Sequence, residues 1–485
     1  MEATVTATAR DHRLGFSSLD AEVEIDELPV HGSLPPWLAG SLLRTGPARF
    51  EVGDRGLAHW FDGLAMLHRF SFADGGVSYA NRFLHSRAYR EAERTGRLAF
   101  SEFATDPCRS LFKRVASAFR PVTTDNANVN VSRLGDEFIA MTETPLPVVF
   151  DATTLEAAGV AYRAPGQLTT AHPHHDPDRG ELVNFAVKLG PRSHYRFFAR
   201  RDRGQQRLIA SLPVREPGYV HSFGMSERFL VLAEFPLVVN PASLALSGRP
   251  YIENYRWEPE RGTRLLVVDR DTGELRGTYE TDPCFGFHHV NAFEHDGEVV
   301  VDVCAYEDPA IIGALYLDSV RADDPRVPSP RLRRFRLALE SGRVTHEPLA
   351  DQSLELPRIS YRRCNGRPYR YVYGAGQGPG TWLDQIVKVD VDERTARVWR
   401  EEGCYPGEPV FVPEPGGERE DAGVLLSVTL DAGSASSFLL VLDAADLGEL
   451  ARARVPHHIP FGFHGDYYGG VAPDPNANGR ATGAP

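Results

Sequence analysis

Lysine is nearly missing from this chain: Lys113, Lys188 and Lys388 are the only three among 53 basic residues, and the rest are arginine. With 66 acidic residues, a formal charge of −13 and no basic run, nucleic acid is excluded as an expected partner. The arginine bias reads as coding preference in a GC-rich genome. Cysteine is sparse too. Cys108, Cys284, Cys304, Cys364 and Cys404 are scattered and never spaced as CxxC, which excludes a zinc ribbon or a disulfide framework and fits a reducing cytoplasm. No uncharged stretch of about 18 residues occurs, so no membrane-spanning helix is expected. The first thirty or so residues carry Glu and Asp throughout, which excludes the apolar segment of a secretory leader.

Helical periodicity is scarce as well. Short β-branched or aromatic runs bounded by Gly, Pro, Asp and Asn recur instead, among them GVSYANRF, NVNVSRL, DEFIAMTE and EVVVDVCAY. Four segments share a strand, an acidic turn and a return strand: VVFDATTLEAAG from Val148, LLVVDRDTGELRGTYE from Leu265, VKVDVDERTARVWRE from Val387 and LLVLDAADLGELARARV from Leu439. They read as outer hairpins of successive four-stranded blades. For 485 residues, length alone suggests two or three domains, but no Pro/Ser/Gly-rich linker separates independent β-sandwiches. The expectation is therefore an all-β chain folded as one β-propeller over residues 16–472, with flexible ends at 1–15 and 473–485. One segment departs from the β pattern. In DPCRSLFKRVASAFRP, residues Cys108, Leu111, Phe112, Val115, Ala118 and Phe119 share one helical face, which describes a core-packing helix and an interfacial membrane helix equally well.

Four of the 17 histidines stand at the edges of apolar or aromatic strands: His172 in TTAHPHHDP, His221 in GYVHSFGMSE, His288 in FGFHHVNAFE and His464 in IPFGFHGDYY. Innermost propeller strands line a common axis, so histidines far apart in sequence can meet there; the same pattern also describes four unrelated core histidines. Neutral imidazoles suit iron, copper and zinc, and a ligating imidazole donates its other N–H to a carboxylate or carbonyl. Carboxylates in apolar strands are costly unless paired, and three occur: Glu143 in FIAMTETPLP, Glu355 in SLELPRISY and Glu408 in YPGEPVFVPEP.

These blocks, with GSLLRTGPARFE and HWFDGLAMLHRF, resemble in order the signature blocks of the carotenoid cleavage oxygenase family over about residues 30 to 470. The resemblance implies a seven-bladed propeller with a helix and loop dome over one face. One Fe(2+) per chain is implied on the axis, held by His172, His221, His288 and His464, while His174, His175 and His289 are neighbours. It pairs Glu143 with His221, Glu355 with His288 and Glu408 with His464, and leaves His172 without a carboxylate. Thr142 and Phe61 are expected in the substrate pocket near iron.

The implied reaction is O2-dependent cleavage of a carotenoid or apocarotenoid double bond to two carbonyl products, with YVHSFGMSE and FHHVNAFE closest to the central 15,15′-cleaving branch that yields retinal. Stilbene-cleaving relatives tend to carry Lys where this chain has Thr142, so a phenolic stilbene is disfavoured. A retinyl-ester isomerohydrolase is the alternative within the family. Outside it stand a metal-free propeller scaffold and a zinc hydrolase, the latter weakened because such sites usually keep three protein ligands and a general base. SEFATDPCRSLFKRVASAF resembles the membrane-contacting region of the animal retinoid branch, so Leu111, Phe112, Val115 and Phe119 are expected at a peripheral membrane surface. A cytoplasmic monomer or weak dimer completes the expectation.

Overall fold

In VVFDATTLEAAG the Asp151 Oδ1 accepts the amide hydrogens of Thr153 and Thr154, both at 2.8 Å, and the N–H of Leu155 returns to the Asp151 carbonyl. Leu155 has φ 59°, and the strands on either side slip register between Val149 and Phe150. Asp269 builds the same turn with Asp271, Thr272 and the left-handed Gly273 (φ 73°), and Asp390 with Asp392, Glu393 and Arg394 (φ 54°). Asp443 does so with Ala445 and Leu447 (φ 63°). The acidic residue of the repeated pattern is thus a side-chain acceptor that replaces a backbone partner, and the fifth residue turns the chain into the return strand. These are the outer hairpins expected from the sequence.

The computed structural model describes residues 11–107, 123–378 and 382–471. Seven antiparallel sheets form the seven blades of a β-propeller. Four are assembled from consecutive strands, a fifth loops out the separate hairpin of Leu237–Val239 and Tyr255–Trp257, and the other two are completed by the far end of the chain. The strand Gly465–Tyr468 pairs with Gly40–Arg49 as the innermost strand of the first blade. The strand Val30–Gly32 pairs with Glu449–Arg454 at the outer edge of the last. Fully buried Val, Leu, Ile and Phe fill the space between blades.

Order begins before residue 16. His12–Phe16 form a 3-10 helix capped by Asp11, with Leu14 and Phe16 buried and the Phe16 ring packed edge-on to Trp60 and Trp382. The sequence pattern missed it because five residues are too few to show a period. The helix expected at Leu111, Phe112, Val115 and Phe119 lies outside the described residues, as does the tail from 472 onward. Cys284, Cys304, Cys364 and Cys404 are free and buried. No helix among the described residues is long and apolar enough to cross a membrane.

Burial also marks two imidazoles of the first blade region. His59 and His68 are held down to about 3, far below the ordinary 6.5, because their charged forms lack solvent. Unfolding restores the ordinary value, so their contribution to stability is complete above pH 6.5 and is lost as pH falls from there toward 3. Each is expected to remove roughly 1–2 kcal/mol by about pH 5. The thermal midpoint of the metal-free protein should accordingly be flat from pH 8 to 7 and decline below; a profile level down to pH 5 would contradict it.

Candidate metal centre

Each of the seven blades sends one side chain to the axis: His464, Glu143, His172, His221, His288, Glu355 and Glu408, in ring order. They sit where strand pairing is interrupted. His172 lies in the gap between Leu168–Thr169 and His174–Asp176, and Glu408 in the gap between Cys404–Pro406 and Val410–Pro413. His288 sits in Phe285–His295 at a register slip against the neighbouring strand, and His464 just precedes Gly465–Tyr468. Broken pairing frees the side chain from the alternation of a regular strand and lets it turn inward.

The structure brings the four imidazoles together, with one ring nitrogen of each within 4.8 Å of the others. Nε2 of His172 lies 3.0 Å from Nε2 of His221, and Nε2 of His288 lies 3.1 Å from Nε2 of His464. Their Nδ1 atoms face outward. His221 Nδ1 is 2.6 Å from Glu143 Oε1, His288 Nδ1 2.5 Å from Glu355 Oε2 and His464 Nδ1 2.7 Å from Glu408 Oε1. No carboxylate among the described residues reaches His172.

Each carboxylate has further donors. Tyr219 donates to Glu143 Oε1 at 2.7 Å, Tyr306 to Glu355 Oε1 at 3.0 Å, and the Leu356 amide to Glu355 Oε2 at 2.8 Å. Glu408 accepts the Gly465 amide at 2.9 Å and faces the Arg358 guanidinium at 2.9 Å. Burial alone would raise Glu355 and Glu408, yet His288 holds Glu355 below its ordinary value, and Arg358 with His464 holds Glu408 down at about 2. The imidazoles move the same way for the opposite reason: burial lowers His172 and His221, and takes His464 to about 4 despite Glu408.

An ionised carboxylate only accepts, so Nδ1 of His288 and of His464 must carry the proton. In the neutral tautomer that this pairing selects, both Nε2 atoms present lone pairs to each other, 3.1 Å apart. A cation between them resolves that repulsion, and the four histidines could hold a metal ion. His174 differs: its Nε2 is committed to the Phe223 carbonyl at 2.9 Å and its Nδ1 to the Tyr361 hydroxyl at 3.1 Å.

His221, His288 and His464 form part of the wall of a cavity of about 1280 Å³, whose other walls are largely apolar. Phe61 and Thr142 both line it. The short helix Trp60–Asp62, capped by His59 and Asp62 on each other's backbone, holds Phe61 with ring centres 5.1 Å from Phe103 and from Phe463. Phe287 and Phe463, each just before a histidine of the cluster, complete the aromatic wall. Residues of Pro241–Leu246, and Ile311 of Ala310–Ala314, also line the cavity, and Leu246 among them is 79% exposed, at an opening to solvent.

Sequence reasoning did not find Tyr219, Tyr306 or Arg358. Tyr219 carried a usable signal, since two residues before His221 in extended chain it shares that residue's face. Nothing local marks Tyr306 or Arg358, whose partners lie 49 and 50 positions away.

The family model described as retinal pigment epithelial membrane protein matches residues 16–469. A mitochondrial carotenoid-cleaving dioxygenase of Macaca fascicularis is 36% identical, over 90% of this chain and 91% of its own. A β,β-carotene 15,15′-dioxygenase of Rattus norvegicus is 35% identical, over 90% of this chain and 88% of its own. Among solved structures, the cobalt-substituted apocarotenoid oxygenase of Synechocystis superposes with a TM-score of 0.83 at 27% identity, over 95% of this chain and 98% of that one.

Proposed function

This chain belongs to the carotenoid cleavage oxygenase family, and on that premise we propose that it holds one ferrous ion on the Nε2 atoms of His172, His221, His288 and His464 and cleaves a carotenoid or apocarotenoid with O2. It is a carotenoid cleavage dioxygenase. The observation that carries the iron reading is the convergence of four imidazole nitrogens within 4.8 Å of one another at the wall of a largely apolar cavity large enough for a long polyene. With Nε2 atoms 3.0 and 3.1 Å apart in two pairs, His172, His221, His288 and His464 would hold one such ion between them as neutral nitrogen donors.

A bound ferrous ion supplies the site where O2 is activated against an electron-rich double bond. The chain's own part is placement. Glu143, Glu355 and Glu408 fix three ring orientations and oppose the ion's charge. Phe61, Phe103, Phe287 and Phe463 hold the polyene by surface contact in a site that excludes water. Cleavage of one C=C by one O2 gives two carbonyls without net proton transfer, so no general acid or base is required. Thr142 offers no cation to a phenolate, which argues against a stilbene. Central cleavage of a symmetric C40 substrate to two retinal molecules is the preferred bond, in keeping with the rat relative's name.

A peripheral membrane contact fits the exposed Leu246 at the cavity mouth, since a polyene dissolved in lipid needs an apolar entrance. Four unpaired buried thiols agree with a reducing compartment.

Iron-loaded protein incubated with detergent-solubilised β-carotene and a series of apocarotenals is expected to bleach the polyene only in air and to release two carbonyl fragments that identify the bond. Equal bleaching without O2, or none in protein that retains iron, would overturn the reading; conversion of a retinyl ester without O2 would replace it with isomerohydrolysis.

A further inference from the structure

Among the described residues, seven other than glycine have a left-handed backbone. Six of them, Asp74, Leu155, Asp296, Arg394, Ala435 and Leu447, sit in hairpin turns that demand it. Leu356, at φ 51°, does not. It lies inside the innermost strand Glu355–Arg358 of its blade, where Glu355 faces Ala375 and Arg358 faces Tyr373, so one extra residue is accommodated. That is a β-bulge whose left-handed position is normally given to glycine. Pro357 follows, and a proline biases the residue before it toward φ near −120°. Leucine is therefore disfavoured here on two counts, and such a residue persists only where its surroundings enforce it.

The bulge has a visible result. At this bulge the Leu356 N–H donates to Glu355 Oε2 at 2.8 Å, the same oxygen that takes His288 Nδ1 at 2.5 Å, while the left-handed turn that follows carries the strand past Ala375 and Tyr373 with its extra residue. The amide thus shares in fixing the carboxylate that orients the imidazole. Glycine or asparagine would adopt this backbone with less cost. What leucine adds is a side chain: Leu356 lines the cavity and is 6% exposed.

We propose that Leu356 is a positioning residue, its backbone aiming Glu355 at His288 and its side chain closing the cavity wall beside them. The inference rests on the metal reading above and adds a residue that touches no ion. Leu356→Val is the decisive variant, because a β-branched residue strongly resists the left-handed region and drives the strand toward ordinary pairing. Its affinity for Co(2+), measured against a competing chelator, should fall about 10–100-fold, as for loss of a group that orients a ligand. Leu356→Gly and Leu356→Asn should stay close to the unmodified protein in cobalt affinity and in visible cobalt spectrum, with the glycine variant less selective in the bond it cleaves. Leu155→Val, at a left-handed turn far from the axis, is the control: it should lower the thermal midpoint and leave cobalt affinity alone. Unchanged cobalt affinity in Leu356→Val, or equal losses in the valine and glycine variants, would overturn the inference while sparing the metal reading. Failure of the unmodified protein to take up cobalt would overturn both.

Discussion

His288→Ala protein is expected to come off purification without iron and to lose more than about a thousandfold in turnover, ~4 kcal/mol of barrier. Three consequences of one deletion combine. An Nε2 donor disappears from a cluster whose members lie within 4.8 Å. Glu355 loses the Nδ1 proton at 2.5 Å that holds it ionised in a buried site, and keeps only Tyr306 and the Leu356 amide. His464 Nε2 loses the neighbour 3.1 Å away with which it would share an ion. His174→Gln is the comparison, because both nitrogens of that ring are occupied by protein groups. It should keep its iron. Metal analysis and single-turnover oxidation of a polyene check both, and an iron-replete, active His288→Ala protein would remove that residue from the ligand set.

The second large effect concerns folding. Glu408→Ala should destabilise even the metal-free protein by about 3–5 kcal/mol, because removing one partner of a buried ion pair strands the other. Here two cations lose their carboxylate: Arg358, 2.9 Å from it, keeps the Gly465 carbonyl and the influence of Asp466, while the buried Arg44, which Glu408 alone among the acids stabilises, has the Phe463 carbonyl at 3.3 Å as its hydrogen-bond partner among the described residues. For a chain of this length the loss corresponds to roughly 3–5 °C in thermal midpoint. Glu143→Ala, whose partners are neutral His221 and Tyr219, should cost much less. Equal midpoints for the two variants would mean that the arginines find other compensation.

These residues also show what could be read before the fold was known. The acidic turns were legible because an aspartate that accepts the amides two and three positions on is a local device, as at Asp151 and Asp269. The histidines and glutamates stood out by chemistry, as polar groups in apolar surroundings. Their meeting point was not legible, since Glu143 and His221 are 78 positions apart and His288 and His464 are 176 apart. Arg358 and Tyr306 stayed hidden because what they do depends on a carboxylate that the next blade supplies, 49 or 50 positions along the chain. Leu356 looked like an ordinary strand leucine, and nothing in its letter betrays a φ of 51°.

Ring closure itself has a consequence for the order of events during biogenesis. The first blade has no inner strand until Gly465–Tyr468 docks on Gly40–Arg49, and His464 arrives with that strand. Such contacts between distant ends of a chain form slowly, because the intervening loop must be ordered first. Until then an ion meets at most three of the rings. Full coordination is thus a clasp on the seam: it becomes available only to a closed ring, and a blade that peels away at the chain's end must surrender one ligand as it goes. Metal occupancy and the integrity of that seam should rise and fall together, which makes the ion a reporter of whether the barrel of blades has shut.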